Sequence, residues 1–191
     1  MISALDRSCG GSWWQSLYLS APDSATAAQW IAREFVQRIS DDAGGQGWAA
    51  PVRNREDNQP LYYLVFFTRH LHGAWLFGDS LASAQKEWRR TLSPPPLHDD
   101  GALFQLADTF PEEEKARERA HIDTLKVNLL DTRARVGEFV VGEEWRSVYG
   151  DVYGIANDSQ VRRAVKQLHS EGRTASTGVG DRTMRDHKFL F

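Results

Sequence analysis

Residues 149–180, YGDVYGIANDSQVRRAVKQLHSEGRTASTGVG, decide how the C-terminal part of the chain is read. Asn157 or Asp158 stands where a helix cap is expected, because a short polar side chain can accept from the first free N–H groups. Val161, Ala164, Val165 and Leu168 follow at i, i+3, i+4 and i+7, which is one apolar stripe on a helix. The stripe turns inward and leaves Ser159, Arg163, Lys166 and Ser170 on the opposite side, with Arg162 at the flank. Gly172 ends the helix. Upstream, Trp145, Val148 and Tyr149 suit a short helix, and residues 150–157 make a turn. Downstream, residues 173–177, a turn at 178–181 and residues 184–191 read as a hairpin. Helix, helix, turn, helix, hairpin is the order of a winged helix-turn-helix.

Charge follows the same division. Residues 159–191 hold seven basic side chains (Arg162, Arg163, Lys166, Arg173, Arg182, Arg185, Lys188) and three acidic ones (Glu171, Asp181, Asp186), a balance of +4. With a net charge of −3 for the whole chain, residues 1–158 carry −7. A basic end on an acidic body suits contact with a polyanion, and it equally suits a solvated terminal helix. On the first of these readings Ser159, Arg162, Arg163 and Lys166 line a recognition helix, while Arg182, Arg185 and Lys188 reach the adjacent backbone from the wing. The expected ligand is then duplex nucleic acid.

Towards the N-terminus, Asp23 or Ser24 can cap a helix with Ala28, Ile31, Ala32, Phe35 and Ile39 on one stripe. Residues 48–53 and 61–68 read as two strands of an antiparallel hairpin across a polar turn at 54–60. LYYLVFFT, residues 61–68, is apolar on both faces, and that pattern predicts a buried central strand. Residues 73–90 then form a helix with Phe77, Leu81, Ala84 and Trp88 inward. Pro94, Pro95 and Pro96 mark a linker over 93–111. A long helix opens at Glu112, buries Ile122, Leu125 and Leu129, and ends near Arg133. Residues 1–22 hold Trp13, Trp14 and Tyr18 with little periodicity.

Composition bounds the function. The chain has 191 residues, 41% of them hydrophobic and 26% charged, enough to bury a core. Its longest apolar run, residues 61–67, falls far short of the ~20 residues that span a bilayer. A lone Cys9 offers neither a disulfide nor a cysteine zinc site within one chain. No basic-then-apolar leader opens the sequence, so the cytoplasm is the expected compartment.

Three motifs invite a chemical reading. Gly78-Asp79-Ser80-Leu81 spells the GDSL of a large esterase family, but no histidine has an aspartate three residues before it, and a serine without a base is a poor nucleophile. His70 and His72, with His98-Asp99-Asp100, are too few and too scattered for a metal site, which needs three or four converging ligands. Gly178-Val179-Gly180 lacks the strand-and-helix setting of a phosphate loop and suits a wing turn. No catalytic residue, metal or cofactor is expected.

Residues 60–73 (PLYYLVFFTRHLHG), the helix at 74–90 and residues 149–180 together resemble the C-terminal half of the three-Cys-motif partner proteins, TcmP. Residues 13–53 are more loosely similar. The resemblance implies that the two strands are the last of a methyltransferase-like sheet and that the C-terminal region is an appended winged helix. The half of that family similar to S-adenosylmethionine-dependent methyltransferases has no counterpart here, so none of its cofactor residues carries over. The chain is then a fragment, a reduced stand-alone member, or part of a split enzyme whose other half lies on another chain. Alone it is not expected to catalyse methyl transfer.

The resulting expectation is an α+β chain. Residues 1–92 form a helix–hairpin–helix unit, residues 93–111 a linker and residues 112–191 a winged helix-turn-helix. The expected function is a non-catalytic, nucleic-acid-associated module. The alternatives are the C-terminal part of a split methyltransferase and an adaptor for a three-Cys-motif protein. The apolar hairpin edge points to a protein partner or a homodimer, and no membrane contact is expected.

Overall fold

In the computed structural model, residues 2–93 and 108–191 are described. The chain is mixed α+β. It divides into two units, Met1–Ala74 and Trp75–Phe191.

The first unit is helices around a hairpin. Helices α1 (Ile2–Cys9) and α2 (Trp13–Ser20) occupy the aromatic lead-in segment. They are tied by side chains: Trp13 Nε1 donates to the Cys9 carbonyl at 2.8 Å, and Trp14 Nε1 donates to Asp6 at 2.9 Å. Helix α3 (Ser24–Ala43) starts at Asp23, whose carboxylate accepts from Thr26 N at 2.8 Å. Its buried positions are Ala27, Val36 and Ser40, while Ala28 of the expected stripe is exposed.

Strands β1 (Gln46–Val52) and β2 (Tyr62–Thr68) pair antiparallel, with Ala49 opposite Val65. Gly47 is needed where α3 crosses the sheet, because a Cβ there would lie 2.7 Å from a Val36 methyl. The hairpin forms as read, but the central position does not. The sheet has two strands, and none of the seven residues of β2 is buried. Apolarity on both faces identified a strand; it could not supply the neighbours that burial requires.

The division between units falls inside α4 (Leu71–Leu92), after Ala74, and not in the proline segment. The reason lies in what α4 packs against within the second unit from Trp75 onward. Trp75 and Ala82 are buried, whereas Ala84 of the expected stripe is exposed. A Cβ at Gly78 would lie 2.6 Å from the Tyr153 ring. Most of the helix expected to close residues 1–92 therefore belongs to the following unit. The expected linker falls largely outside the described residues, as do His98, Asp99 and Asp100.

The second unit is built on α5 (Phe110–Val136), with Pro111 at its start and Ile122, Leu125 and Leu129 buried. Strand β3 (Phe139–Val140), α6 (Trp145–Tyr149), a 3-10 turn (Gly150–Val152), α7 (Asp158–Ser170), a second 3-10 turn (Met184–Asp186) and β4 (Lys188–Phe189) follow. The four inward positions of α7, Val161, Ala164, Val165 and Leu168, have no exposed surface. At ~2 kcal/mol for a buried Val or Leu side chain, that stripe holds the helix in place. Aromatic rings fill the space beside it: Trp75 meets Tyr149 edge-on at 5.1 Å, and Trp145 lies 4.5 Å from Tyr153.

The expected terminal hairpin takes another form. Strand β4 pairs with β3, Phe139 opposite Phe189. Residues 173–177 make no strand and follow the terminus through hydroxyls. Thr174 Oγ1 donates to the Leu190 carbonyl at 2.6 Å, Ser176 Oγ donates to the Lys188 carbonyl at 2.9 Å, and Ala175 N donates to the Phe191 carbonyl at 2.7 Å. Buried hydroxyls thus do what ladder amides would do.

Candidate nucleic-acid interface

Helix α7 presents the expected polar face. Its N-terminus is closed by a capping box: Gln160 N donates to Asn157 Oδ1 at 3.2 Å, and Asn157 N donates to Gln160 Oε1 at 3.3 Å. Ser159 is exposed and donates to Asn157 Oδ1 at 2.7 Å, so it reinforces the cap. Arg163 and Lys166 point to solvent.

The seven expected contact residues separate by what already holds them. Arg162 is committed to the fold. Its guanidinium donates to the carbonyls of Gly178 at 2.9 Å and Asp181 at 3.0 Å, and so holds the 178–182 loop against α7. Arg163 pairs with Glu118 at 2.9 Å with half its side chain still in solvent, Lys188 pairs with Glu138 at 3.0 Å, and Arg185 pairs with the adjacent Asp186 at 2.8 Å. Lys166 and Arg182 are exposed, and among the described residues neither has a recorded acidic partner. With three of its six cationic side chains beside a carboxylate and Arg162 held by carbonyls, the face is less basic than the sequence implied. Exposed pairs of this kind are worth about 0–1 kcal/mol and exchange readily for another anion.

One carboxylate organises this surface in a role the sequence did not show: Asp158, read there as an alternative to Asn157 for the helix cap, is the first residue of α7, and Asn157 is the cap. Asp158 Oδ1 accepts from Trp75 Nε1 at 3.1 Å, Thr183 Oγ1 at 2.8 Å and Met184 N at 2.7 Å. The Asp158 amide in turn donates to Asp79 Oδ1 at 2.8 Å. Asp158 thereby fastens the C-terminal segment to the start of α7. Its signal in sequence was that of a possible helix cap, which says nothing of the distant groups it holds.

The same contact explains the GDSL tetrapeptide. Gly78 admits the Tyr153 ring, Asp79 receives the α7 amide, and Ser80 lies exposed on a helix. These are packing roles. No group of three or more metal-ligating side chains occurs among the described residues.

A second polar constellation lies in a cleft of ≈ 250 Å³ lined by Lys86, Arg89, Glu114, Glu118, His121 and Gln160, among others. Arg89 donates twice to Glu114, at 2.6 and 3.1 Å, with both side chains about nine-tenths buried. Burial alone would raise Glu114; the hydrogen bonds and charge of Arg89, aided by Arg117 and Lys86, outweigh it and hold the carboxyl below its usual range. Burial keeps His121 below the usual imidazole range, against an opposing bond from Gln160, and its Nδ1 is buried without a partner. The neutral imidazole suits an interior position.

No protein-family model, no curated protein and no solved structure matches the chain. No helix among the described residues is long and apolar enough to cross a membrane.

Proposed function

We propose that the second unit is a winged helix that binds duplex nucleic acid through the solvent face of α7, without catalysis, as a chain akin to the C-terminal half of the TcmP proteins. The observation that carries this reading is the sidedness of α7. Its apolar positions are fully buried, while Arg163 and Lys166 stand outward beside a loop that ends in exposed Arg182. The order α5, β3, α6, α7, β4 and the antiparallel β3–β4 pair also support it. Contacts of this kind fall on phosphates, so binding has limited sequence preference.

The test is fluorescence anisotropy with a labelled duplex across a salt series. Affinity should fall steeply with salt, since each neutralised phosphate releases about one counterion. Arg163→Ala with Lys166→Ala should weaken binding and lower the salt slope by about 2. Parent and double variant binding equally, or no binding at low salt, would overturn the reading.

One observation favours a protein adaptor instead. Glu118, Glu138 and Asp186 neutralise three of the seven expected contacts, so the face is a mosaic of both signs, which suits a protein surface better than a phosphate track. The absence of any salt-sensitive binding would favour that alternative.

A further inference from the structure

The first unit ends its sheet on a strand with an open edge. Strand β2 reads YYLVFFT, carries no charge, and has Tyr62 60% and Leu64 46% exposed. A two-stranded sheet is marginal alone and gains from a third strand. Natural edges are blunted by lysine, proline or inward charge, and β2 carries none of these.

The two edges of this sheet differ. The Val52 carbonyl accepts from Leu61 N at 2.8 Å, so the Val52 backbone faces β2. Antiparallel ladders alternate, so Pro51 next to it faces away and offers no N–H on the β1 side. On β2 the same alternation, with Val65 opposite Ala49 and Tyr63 opposite Pro51, turns the backbone groups of Tyr63, Val65 and Phe67 outward. Among the described residues no hydrogen bond to these outward groups is recorded.

We propose that β2 pairs with β2 of a second copy of this chain, antiparallel about a two-fold axis at Val65, to give a four-stranded sheet. Three features select a second copy. First, the exposed apolar face continues across the axis, because residues of like parity pair: Leu64 meets Phe66 and Tyr62 meets Thr68 of the other copy. Second, the charges match. Arg53 and Arg55 leave the 53–61 loop neutral as a whole, but Glu56 and Asp57 stand at its tip, and the antiparallel arrangement sets these two carboxylates on the side of the end that carries Arg69. Third, Pro51 disfavours pairing of β1 with β2 of another copy, the head-to-tail contact that would grow into fibres, so the assembly closes at two. The inference is independent of the nucleic-acid reading.

Sedimentation velocity of the full chain over a micromolar to sub-millimolar range tests it. A monomer–dimer equilibrium is expected. Leu64→Lys alters an exposed side chain, so the variant should keep its circular dichroism spectrum. It should weaken dimerisation about tenfold, because two cross-strand pairs are lost per dimer. Val65→Cys in a Cys9→Ser background should form a covalent dimer on mild oxidation, and Tyr62→Cys, placed opposite Thr68 of the other copy, should not. A monomer at every concentration, a dimer indifferent to Leu64→Lys, open-ended growth, or cross-linking at Tyr62 but not at Val65 would each overturn the proposal.

Discussion

The amide of Asp158, the first residue of α7, donates to the carboxylate of Asp79 in the middle of α4 at 2.8 Å. A helix start is thus held by a residue 79 positions earlier in the chain. Removal of such an acceptor leaves a first-turn donor to water or to nothing. Asp79→Ala should cost about 1 kcal/mol, within the range for helix caps. Ser80→Ala should change stability by less than ~0.5 kcal/mol, as exposed substitutions do. Chemical denaturation of the two variants checks both. A larger loss at Ser80 than at Asp79 would contradict the packing account of this tetrapeptide.

Arg162 and Arg163 are neighbours with opposite expected phenotypes. Arg162→Ala frees the Gly178 and Asp181 carbonyls and should destabilise the protein by about 1–3 kcal/mol. Arg163→Ala breaks only an exposed pair and should cost at most about 1 kcal/mol. Thermal unfolding separates the two. Hydrogen exchange should report faster opening of the 178–182 loop in Arg162→Ala alone.

The Arg89–Glu114 pair is buried on both sides. Glu114→Leu leaves a buried guanidinium with its main partner gone and should cost about 3 kcal/mol. The double change Arg89→Met with Glu114→Leu should recover most of that loss, because apolar replacements of a buried pair are often nearly neutral. Urea titrations of the single and double variants measure the difference. A double variant as unstable as the single one would show that the pair has no such penalty.

His121 gives a pH dependence of defined sign. Its folded value lies below the ordinary 6.5, so the unfolded chain binds the proton more readily. The contribution is therefore present above about 6.5 and is lost as pH falls from there towards the folded value. Glu114 acts in a lower window: its depressed carboxyl contributes above the ordinary 4.5 and is lost as pH falls through the folded value. Thermal midpoints from pH 7.5 to 5.5 should fall in the parent, and His121→Gln should flatten that slope while leaving the acid limb below pH 4.5 in place.

Amphipathic spacing was sufficient where one face of a helix does all the packing. The stripe of α7, its cap at Asn157 or Asp158 and the inward leucines of α5 were legible because period and cap are local properties, and the structure gives the cap to Asn157. The phases of α3 and α4 were not. Ala28 was expected inward and is exposed, and Ala84 of α4 likewise, while Ala27, Trp75 and Ala82 are buried. Both helices carry apolar residues around much of their circumference, so several stripes fit and only the neighbours select one. Gly78 is the clearest case, a helix glycine whose purpose is the Tyr153 ring from a distant segment.

The candidate interface divides in the same way. That Arg163 and Lys166 face solvent followed from the residues inside the helix. That Arg162 is used to hold a loop did not, since its acceptors are main-chain carbonyls 16 and 19 residues away that exist only in the folded chain. Nor could charge counting over 159–191 reveal that Glu118 and Glu138, both outside that stretch, sit beside Arg163 and Lys188.

The sequence by itself determined the hairpin at 46–68, helices α3 to α7 and the sidedness of α7, which rest on local periodicity, capping and turn chemistry; α1 and α2, within a segment of little periodicity, were not legible. Tertiary structure alone decided the partners. It paired β4 with β3, left β2 half in solvent, drew the boundary inside α4, and made Asp158 the tie between α7 and the C-terminal segment. Burial, ion pairing and strand order depend on which distant residues meet, and that meeting is a property of the packed chain that no local window contains.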